Sequence, residues 1–270
     1  MSIGILRGPT PWDLAGVGAD RPIITAADVP DATAAFVADP FGVSVDDRWF
    51  LFFEFMNRAS GKGEIGVAES ADLRDWNVRG TALCESFHLS YPAVYVIGGE
   101  FWMIPETWEA KQVRLYRAVD FPMRWTLEQV LIDGVPGTDP TLFRTSTGGW
   151  SMLLCGADGA HNSTLWRYDA PDIRGPWTRV EDPLISDRPD QARPGGHCFV
   201  EDGVTYRLGQ DCSRHYGESL SSYPLTVPWT EGGRVVVSAA GRGWRARGGH
   251  HADLHRMPEG DVLAFVDGER

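Results

Sequence analysis

Short runs of β-branched and aromatic residues alternate with short polar turns along the chain, and this pattern repeats roughly every fifty residues. Each unit contains one β-rich run, a turn rich in Gly, Asp or Thr, and a second β-rich run, which predicts a hairpin. The units begin at Asp39, Tyr91, Asp139, Gly195 and His251, with intervals of 52, 48, 56 and 56 residues.

A tryptophan marks the end of a third β-like run in four of the units, at Trp76, Trp125, Trp177 and Trp229. Three or four strands in such a unit is the size of a propeller blade. The fifth unit has only two strands, and the N-terminal run Ile3–Arg7, followed by Trp12, has the form of the missing third strand and its marker. We therefore predict an all-β fold: one five-bladed β-propeller domain over residues 1–270, its last blade completed by the N-terminal segment, with residues from about 14 to 35 leading into the first blade.

Composition narrows the class of protein further. The 31 glycines and 18 prolines together make up about 18% of the 270 residues, above the average share of about 12%. This excess disfavours a helical bundle. A net charge of −12 provides no broad basic surface, so nucleic-acid binding is not expected. The four cysteines lack metal-binding spacing, and neither a signal peptide nor a long apolar stretch is present. We expect a cytoplasmic protein without membrane insertion and without a cofactor.

The predicted fold brings distant carboxylates together, because equivalent positions of successive blades meet at one end of the central channel. Asp39 and Asp139 stand at the start of inner strands, and Glu54 and Glu106 at the end of second strands. Clustered carboxylates repel and raise one another's pKa, so we interpret the set as a functional site with no role in folding. For each Asp-Pro pair alone, a turn or a strand cap is the alternative.

Other side chains near the inner-strand starts are candidates for substrate binding. Arg193 precedes two glycines that permit close approach of a ligand, although a plain loop arginine would fit the pattern too. The histidines suit hydrogen bonding to a substrate better than metal binding, and Trp108 could stack on a sugar ring. The full set of binding candidates is Glu54, Tyr91, His88, Trp108, Arg193, His197, His250 and His251, with no metal predicted.

The segments Val37–Phe41, Met103–Glu106 and Gly137–Phe143 resemble the five-bladed propellers related to glycoside hydrolase family 43. More specifically, the chain is similar to the N-terminal domain of the glucosamine inositolphosphorylceramide transferases. The resemblance implies that Asp39 is the general base and that Asp139 orients and tunes the site. No glutamate stands at the start of the fourth inner strand, so no residue matches the general acid of family 43.

Two explanations of the missing acid remain open. If Glu106 or Glu54 replaces it, the protein is an inverting glycoside hydrolase. If there is no acid, the donor carries its own phosphate leaving group, which Arg193, His250 and His251 would stabilise.

We favour the second explanation: a glycosyltransferase that moves a sugar, a furanose by analogy, from a small phosphate-activated donor to an acceptor hydroxyl. Its catalytic residues would be Asp39, Asp139 and Glu106. A non-catalytic sugar-binding propeller is a third alternative.

Overall fold

The computed structural model describes residues 1–17, 21–30, 33–226 and 231–270, and its strands form five antiparallel sheets of four strands each. They are β1 (Ser2–Gly8), β2 (Ala15–Gly16), β3 (Ala34–Val45), β4 (Arg48–Asn57), β5 (Lys62–Ser70), β6 (Asn77–Leu83), β7 (Ser90–Ile97), β8 (Glu100–Glu106), β9 (Gln112–Asp120), β10 (Arg124–Asp133), β11 (Thr138–Arg144), β12 (Trp150–Cys155), β13 (Leu165–Ala170), β14 (Thr178–Arg179), β15 (Phe199–Glu201), β16 (Val204–Asp211), β17 (Ser219–Pro224), β18 (Arg234–Val237), β19 (Ala252–Arg256) and β20 (Val262–Gly268).

Each sheet is one blade of a five-bladed β-propeller, as the sequence predicts. Blades 1 to 4 contain four consecutive strands each, from β3 to β18, and the innermost strands are β3, β7, β11 and β15. Blade 5 has the order β19-β20-β1-β2, so the N-terminal strand lies between the C-terminal hairpin and the rim.

Pairing between the first and last strands closes the ring. The β1–β20 register runs from Ser2 opposite Gly268 to Gly8 opposite Val262, which confirms that the N-terminal segment completes the last blade. The segment leading into blade 1 begins later than predicted, because β2 still belongs to blade 5 and Ile24 forms a bridge back to Ile3.

The tryptophan markers stand beside the outermost strands and tie neighbouring blades together. Trp76 packs edge to face on Phe265 of blade 5 at 5.7 Å, and Trp125 packs on Phe52 of blade 1 at 5.5 Å. The indole N–H of each donates to a backbone carbonyl three residues earlier. Trp229, the marker of the fourth unit, lies outside the described residues.

Apolar side chains between adjacent blades form the core. Phe53, Phe55 and Phe265 are fully buried between blades 5 and 1, and full burial of one such side chain contributes on the order of 1.5–3 kcal/mol. The channel itself is filled by aromatic rings, with Phe41 packing edge to face on Tyr91 at 4.8 Å. This plug separates the two ends of the channel into two mouths.

The inner strands of blades 1 to 3 share a bulge at the Asp-Pro or Tyr-Pro pair. Asp39, Tyr91 and Asp139 have φ angles of 51°, 47° and 51°, and the strand register shifts at each of them. Proline suits a bulge because its missing N–H is not needed in the ladder there. A left-handed conformation at a residue other than glycine costs on the order of 1–3 kcal/mol and persists only where its surroundings hold it.

Short 3-10 turns are the helical elements of the described chain, and none of its helices is long and apolar enough to cross a membrane. The four cysteines are free thiols, with Cys155 buried and Cys84 exposed. The cytoplasmic location stays a prediction.

Candidate functional site

One mouth of the channel holds a cavity of about 210 Å³ at the end where the inner strands of the blades begin. We call this end the acidic mouth and define it by Asp39, Glu54, Glu106, Arg193 and His250. The cavity is lined in addition by Met1, Phe36, Ala38, Met56, His88, Ser90 and Tyr216. Its volume suits about one sugar ring, since sites for larger ligands usually exceed roughly 300 Å³.

The carboxylates of the acidic mouth hold the bulges of the next blade. At each bulge the backbone N–H of the left-handed residue donates to a carboxylate at 3.1 to 3.3 Å. Asp39 donates to Asp267, Tyr91 to Asp39, and Asp139 to Glu106. The expectation that the carboxylate set has no role in folding is therefore wrong for Asp39 and Glu106. Each one satisfies a buried backbone donor that would otherwise cost about 1–3 kcal/mol.

Asp39 lies beside a histidine that a second carboxylate supports. Nε2 of His250 lies 3.1 Å from Asp39, and Nδ1 lies 3.1 Å from Asp267. Burial alone would raise the pKa of Asp39, but the nearby imidazole of His250 lowers it to about 2. Burial alone would lower the pKa of His250, but the carboxylates of Asp267 and Asp39 raise it well above its usual value. The group therefore behaves as an imidazolium between two anions.

Glu54 projects into the cavity from β4, where it lies opposite Ala38, the residue before Asp39. Glu54 is 6% exposed, and its carboxyl group lies 3.4 Å from Nε2 of His88. Burial raises the pKa of Glu54, the His88 contact opposes this, and the neighbouring Asp39 carboxylate adds to the increase. Asp39 and Glu54 thus share one cavity with their pKa values shifted in opposite directions.

Arg193 neutralises the other half of the mouth. Its Nε donates to Asp139 at 2.6 Å, its Nη2 to Glu106 at 3.2 Å, and its Nη1 to Asn162 at 3.1 Å. Burial alone would lower the pKa of Arg193, but Asp139 and its other anionic neighbours raise it well above the usual value. Gln210 adds a donor to Asp139 at 3.0 Å. The guanidinium is therefore engaged on three sides before any ligand binds.

Six of the sequence candidates line the cavity together: Asp39, Glu54, His88, Glu106, Arg193 and His250. Asp139 lies behind Arg193 and does not line it, which suits the orienting role that the resemblance implies. The propeller explains this convergence, because the starts of the inner strands and the ends of the second strands in successive blades lie at the same end of the channel.

Four candidates for substrate binding lie elsewhere. Tyr91 is fully buried in the plug, where its hydroxyl bonds to Thr141 at 2.7 Å. His251 is also fully buried, with Nε2 lying 3.0 Å from a carbonyl of the first blade. Trp108 lies on the surface, 40% exposed, with its ring against His161 rather than among the residues lining the cavity.

His197 lies at the opposite mouth of the channel, beyond the plug. There a second cavity of about 460 Å³ contains Asp253, whose carboxylate lies 2.8 Å from Nδ1 of His197 and 2.8 Å from Nε2 of His255. The side chains of Tyr91 and His251 therefore lie in the interior, and that of His197 lies at the far mouth, rather than among the residues that line the acidic mouth.

Asp267 and Tyr216 are site residues that were not among the candidates. Asp267 occupies the end of β20, the fifth-blade counterpart of Glu54 and Glu106, so the repeat contains a signal for it. Tyr216 lies on the loop between β16 and β17, with its ring 5.1 Å from the Arg193 guanidinium and 5.0 Å from the ring of His250. The repeat carries no signal for this irregular loop.

Asp39, His250 and Asp267 also place one possible ligand atom each within 4.8 Å of one another. Each ring nitrogen of His250 faces its own carboxylate, which is the pattern of a protonated imidazole. The predicted absence of a metal stays a prediction.

Residues 2–269 match the family model described as glucosamine inositolphosphorylceramide transferase 1, N-terminal. The glucosamine inositolphosphorylceramide transferase 1 of Oryza sativa subsp. japonica is 36% identical over 268 residues, covering 93% of this chain and 36% of the relative. That of Arabidopsis thaliana is 33% identical over 302 residues, covering 100% of this chain and 39% of the relative. The chain therefore spans little more than a third of these relatives.

Solved structures share the fold at low sequence identity. An exo-β-1,3-galactanase from Clostridium thermocellum superposes with a TM-score of 0.63 at 14% identity, over 84% of this chain and 53% of that one. An α-L-arabinofuranosidase from the same organism gives a TM-score of 0.61 at 12% identity, over 83% and 80%. At these identities the likeness concerns the propeller fold alone.

Proposed function

The chain belongs to the family of glucosamine inositolphosphorylceramide transferase N-terminal domains, and from this we propose that its acidic mouth binds one sugar unit and transfers it to an acceptor hydroxyl. The observation that carries the proposal is the buried Asp39 carboxylate, held in a cavity of sugar size beside His250 at 3.1 Å. Asp39 would be the general base.

Asp39 suits this role because it is ionised and fixed. Its pKa of about 2 keeps the carboxylate free of a proton at neutral pH, and the bulge with its N–H bound to Asp267 fixes its position. A hydroxyl that approaches Asp39 would lose its proton as its oxygen bonds to the anomeric carbon of the sugar. General base catalysis of this kind contributes about 10²–10⁴-fold.

The names of the relatives suggest which sugar and acceptor to test first. They name glucosamine and an inositolphosphoryl lipid, so we propose a hexosamine as the sugar and an inositol hydroxyl as the acceptor. The furanose suggested by the sequence stays a prediction.

A phosphate-activated donor has less support from the geometry than from the sequence. The sequence suggested that Arg193 would bind the donor phosphate. In the structure its N–H groups already donate to Asp139, Glu106 and Asn162. A donor phosphate would have to displace one of these partners.

Hydrolysis of a glycoside is a second candidate function, favoured by the opposite pKa shifts of Asp39 and Glu54 within one cavity. Enzymes that hydrolyse a glycosidic bond usually use two carboxyl groups with different pKa values, one as the general acid and one as the general base. Water would then take the place of the acceptor hydroxyl.

The test is an incubation of the protein with dinitrophenyl glycosides of glucosamine, N-acetylglucosamine and arabinofuranose, and with nucleotide diphosphate glucosamine. Inositol phosphate is present as the acceptor. Mass spectrometry would detect the glycosylated acceptor for transfer and the free sugar for hydrolysis. We expect Asp39→Asn to lower either product by about 10²–10⁴-fold.

Asp47→Asn is the matched control, because this exposed aspartate lies in the turn at the other end of the same hairpin and also has a left-handed backbone. Thermal shift with each donor separates binding from turnover. Binding without any product would favour a non-catalytic sugar-binding propeller, and equal products from Asp39→Asn and the native protein would refute the role of Asp39.

A further inference from the structure

We propose that Glu54 is the proton donor of the acidic mouth, the group that protonates the departing oxygen of a glycosidic bond while Asp39 accepts the proton of the incoming hydroxyl. This inference rests on the proposed function and decides between the two acids, Glu54 and Glu106, that the sequence left open. It also names the donor class: a glycoside whose leaving group is an alcohol rather than a phosphate.

The polar contacts of the cavity carboxylates differ in kind. Asp39 has the imidazole of His250 at 3.1 Å and the N–H of Tyr91 at 3.2 Å. Glu106 has the Arg193 guanidinium at 3.2 Å and the N–H of Asp139 at 3.1 Å. A cation and a backbone donor stabilise each of these two carboxylates as an anion.

Among the described residues, Glu54 contacts no guanidinium, no ammonium group and no backbone donor, and the His250 ring lowers its pKa only from a longer range. The polar neighbour of Glu54 is Nε2 of His88 at 3.4 Å. The N–H of Gly63 donates to Nδ1 of His88 at 2.9 Å, so Nδ1 must hold a lone pair and the ring proton is on Nε2. Burial lowers the pKa of His88 and the Glu54 contact raises it, but an Nδ1 that accepts from Gly63 leaves the ring its proton on Nε2 alone, so the imidazole that faces Glu54 is neutral. A buried carboxyl group without a contacting cation is most stable when protonated.

The position of Glu54 suits proton transfer to a substrate. Glu54 and Asp39 come from the two strands of one hairpin, in which Glu54 pairs with Ala38, and both line the cavity. Gly63 backs the Glu54 carboxyl so closely that a Cβ at this position would lie 2.9 Å from Oε1. The carboxyl group is thus fixed from behind by backbone and by the His88 ring, with the cavity on its remaining side.

The transfer step balances with these two residues. The Glu54 proton moves to the glycosidic oxygen as the bond from that oxygen to the anomeric carbon breaks, and the electron pair stays on the oxygen, so a neutral alcohol leaves. The acceptor oxygen uses a lone pair to bond to the anomeric carbon, and its proton moves to Asp39. One proton has then passed from Glu54 to Asp39, and exchange with water restores the starting state.

Asp139 is the main rival as a proton donor. Burial raises its pKa, the Arg193 guanidinium opposes this, and Glu106 adds to the increase. However, Asp139 does not line the cavity, and its Oδ2 already accepts from both Arg193 and Gln210. A proton on Asp139 would face Glu106 inside the cluster rather than a ligand.

The test compares phenyl and dinitrophenyl glycosides of the sugar that the protein turns over. The phenyl leaving group needs a proton, whereas the dinitrophenyl group leaves as a stable anion. We expect Glu54→Gln to lower turnover of the phenyl glycoside by about 10²–10⁴-fold and that of the dinitrophenyl glycoside by less than about tenfold. Asp39→Asn should slow both equally, and Glu100→Gln, at an exposed strand start, should slow neither.

An equal loss on both glycosides in Glu54→Gln would overturn the proposal. So would a leaving-group dependence that appears in Glu106→Gln or Asp139→Asn and not in Glu54→Gln.

An infrared measurement tests Glu54 without any turnover, so that failure of the proposed function can be told apart from failure of this inference. In protein labelled with ¹³C-glutamate, to separate glutamate from aspartate, the carbonyl band of a protonated glutamate should be present at neutral pH. It should be lost in Glu54→Gln and kept in Glu100→Gln. Absence of the band from the native protein, or its persistence in Glu54→Gln, would overturn the proposal.

Discussion

The two halves of the acidic mouth differ in the side chains that lie beside their carboxyl groups. On one side, Asp39 lies beside the imidazole of His250, and Glu54 beside that of His88. On the other side, Asp139 and Glu106 share the guanidinium of Arg193. An imidazole can lose its proton in the range of biological pH, whereas a guanidinium cannot.

This difference suggests that the histidine half takes part in proton transfer and that the arginine half holds the structure of the mouth. The histidine half contains groups whose protons can move, and it lines the cavity with both Asp39 and Glu54. The arginine half is a closed network in which Asn162 and Gln210 complete the hydrogen bonds. We therefore expect substitutions in the arginine half to affect stability first and those in the histidine half to affect turnover and pH dependence first.

Removal of the Arg193 side chain should have the largest effect on stability. Arg193→Ala leaves Asp139 and Glu106 buried without their cation, and breaking such a pair costs about 3–5 kcal/mol. Urea unfolding would measure this loss. Arg124→Ala, at an exposed pair with Asp120, is the control and should change the free energy of unfolding by no more than about 0.5 kcal/mol. A similarly small change in Arg193→Ala would contradict the scaffolding role.

Acid should weaken the histidine half through Asp39. The pKa of Asp39 falls from its usual 3.8 to about 2 in the folded protein, so the carboxylate contributes stability above about pH 4 that is lost as the pH falls toward about 2. The difference corresponds to about 2 kcal/mol. Asp39→Asn should therefore flatten the acid limb of the unfolding free energy measured against pH.

The His250 contact is expected to cause this acid limb. His250→Gln should flatten the limb as Asp39→Asn does, while His215→Gln, on an exposed ring, should leave it as it is in the native protein. An unchanged limb in His250→Gln would show that another group lowers the pKa of Asp39.

The smallest effect is expected at His88. His88→Gln keeps a donor that can reach toward Glu54, whereas His88→Phe removes it, and one hydrogen bond to a neutral partner contributes about 1 kcal/mol. We expect His88→Phe to lower kcat for a phenyl glycoside by about fivefold to tenfold with KM nearly unchanged, and His88→Gln to restore most of it. Equal losses in both variants would assign His88 a packing role only.

Sequence reasoning located the blades because turn chemistry and strand period are local properties. Equivalent positions such as Asp39 and Asp139 could be aligned by their Asp-Pro pairs, and Glu54 and Glu106 by their distance from them. The direction of a side chain could not be obtained this way. Tyr91 has the same bulge as Asp39, and yet its long ring extends into the plug because it bonds across the channel to Thr141.

Contacts between side chains of different blades could not be predicted from the sequence either. Arg193 was predicted to bind a ligand, but the partners that occupy it, Asp139 and Glu106, come from two other blades. Only the closed ring fixes which of these groups face one another and which face the cavity. The folding role of the carboxylates was missed for the same reason.

Because β1 pairs with β20, blade 5 cannot form until the last strand has been synthesised. Ser2 lies opposite Gly268, so the strand that leaves the ribosome first among the twenty waits for the last one before it has its main partner. Until then its unpaired edge is free to join other chains. Because Asp267 lies on the last strand and supports both Asp39 and His250, the acidic mouth is complete only once that strand is present, and a product shortened before Asp267 would lack this support.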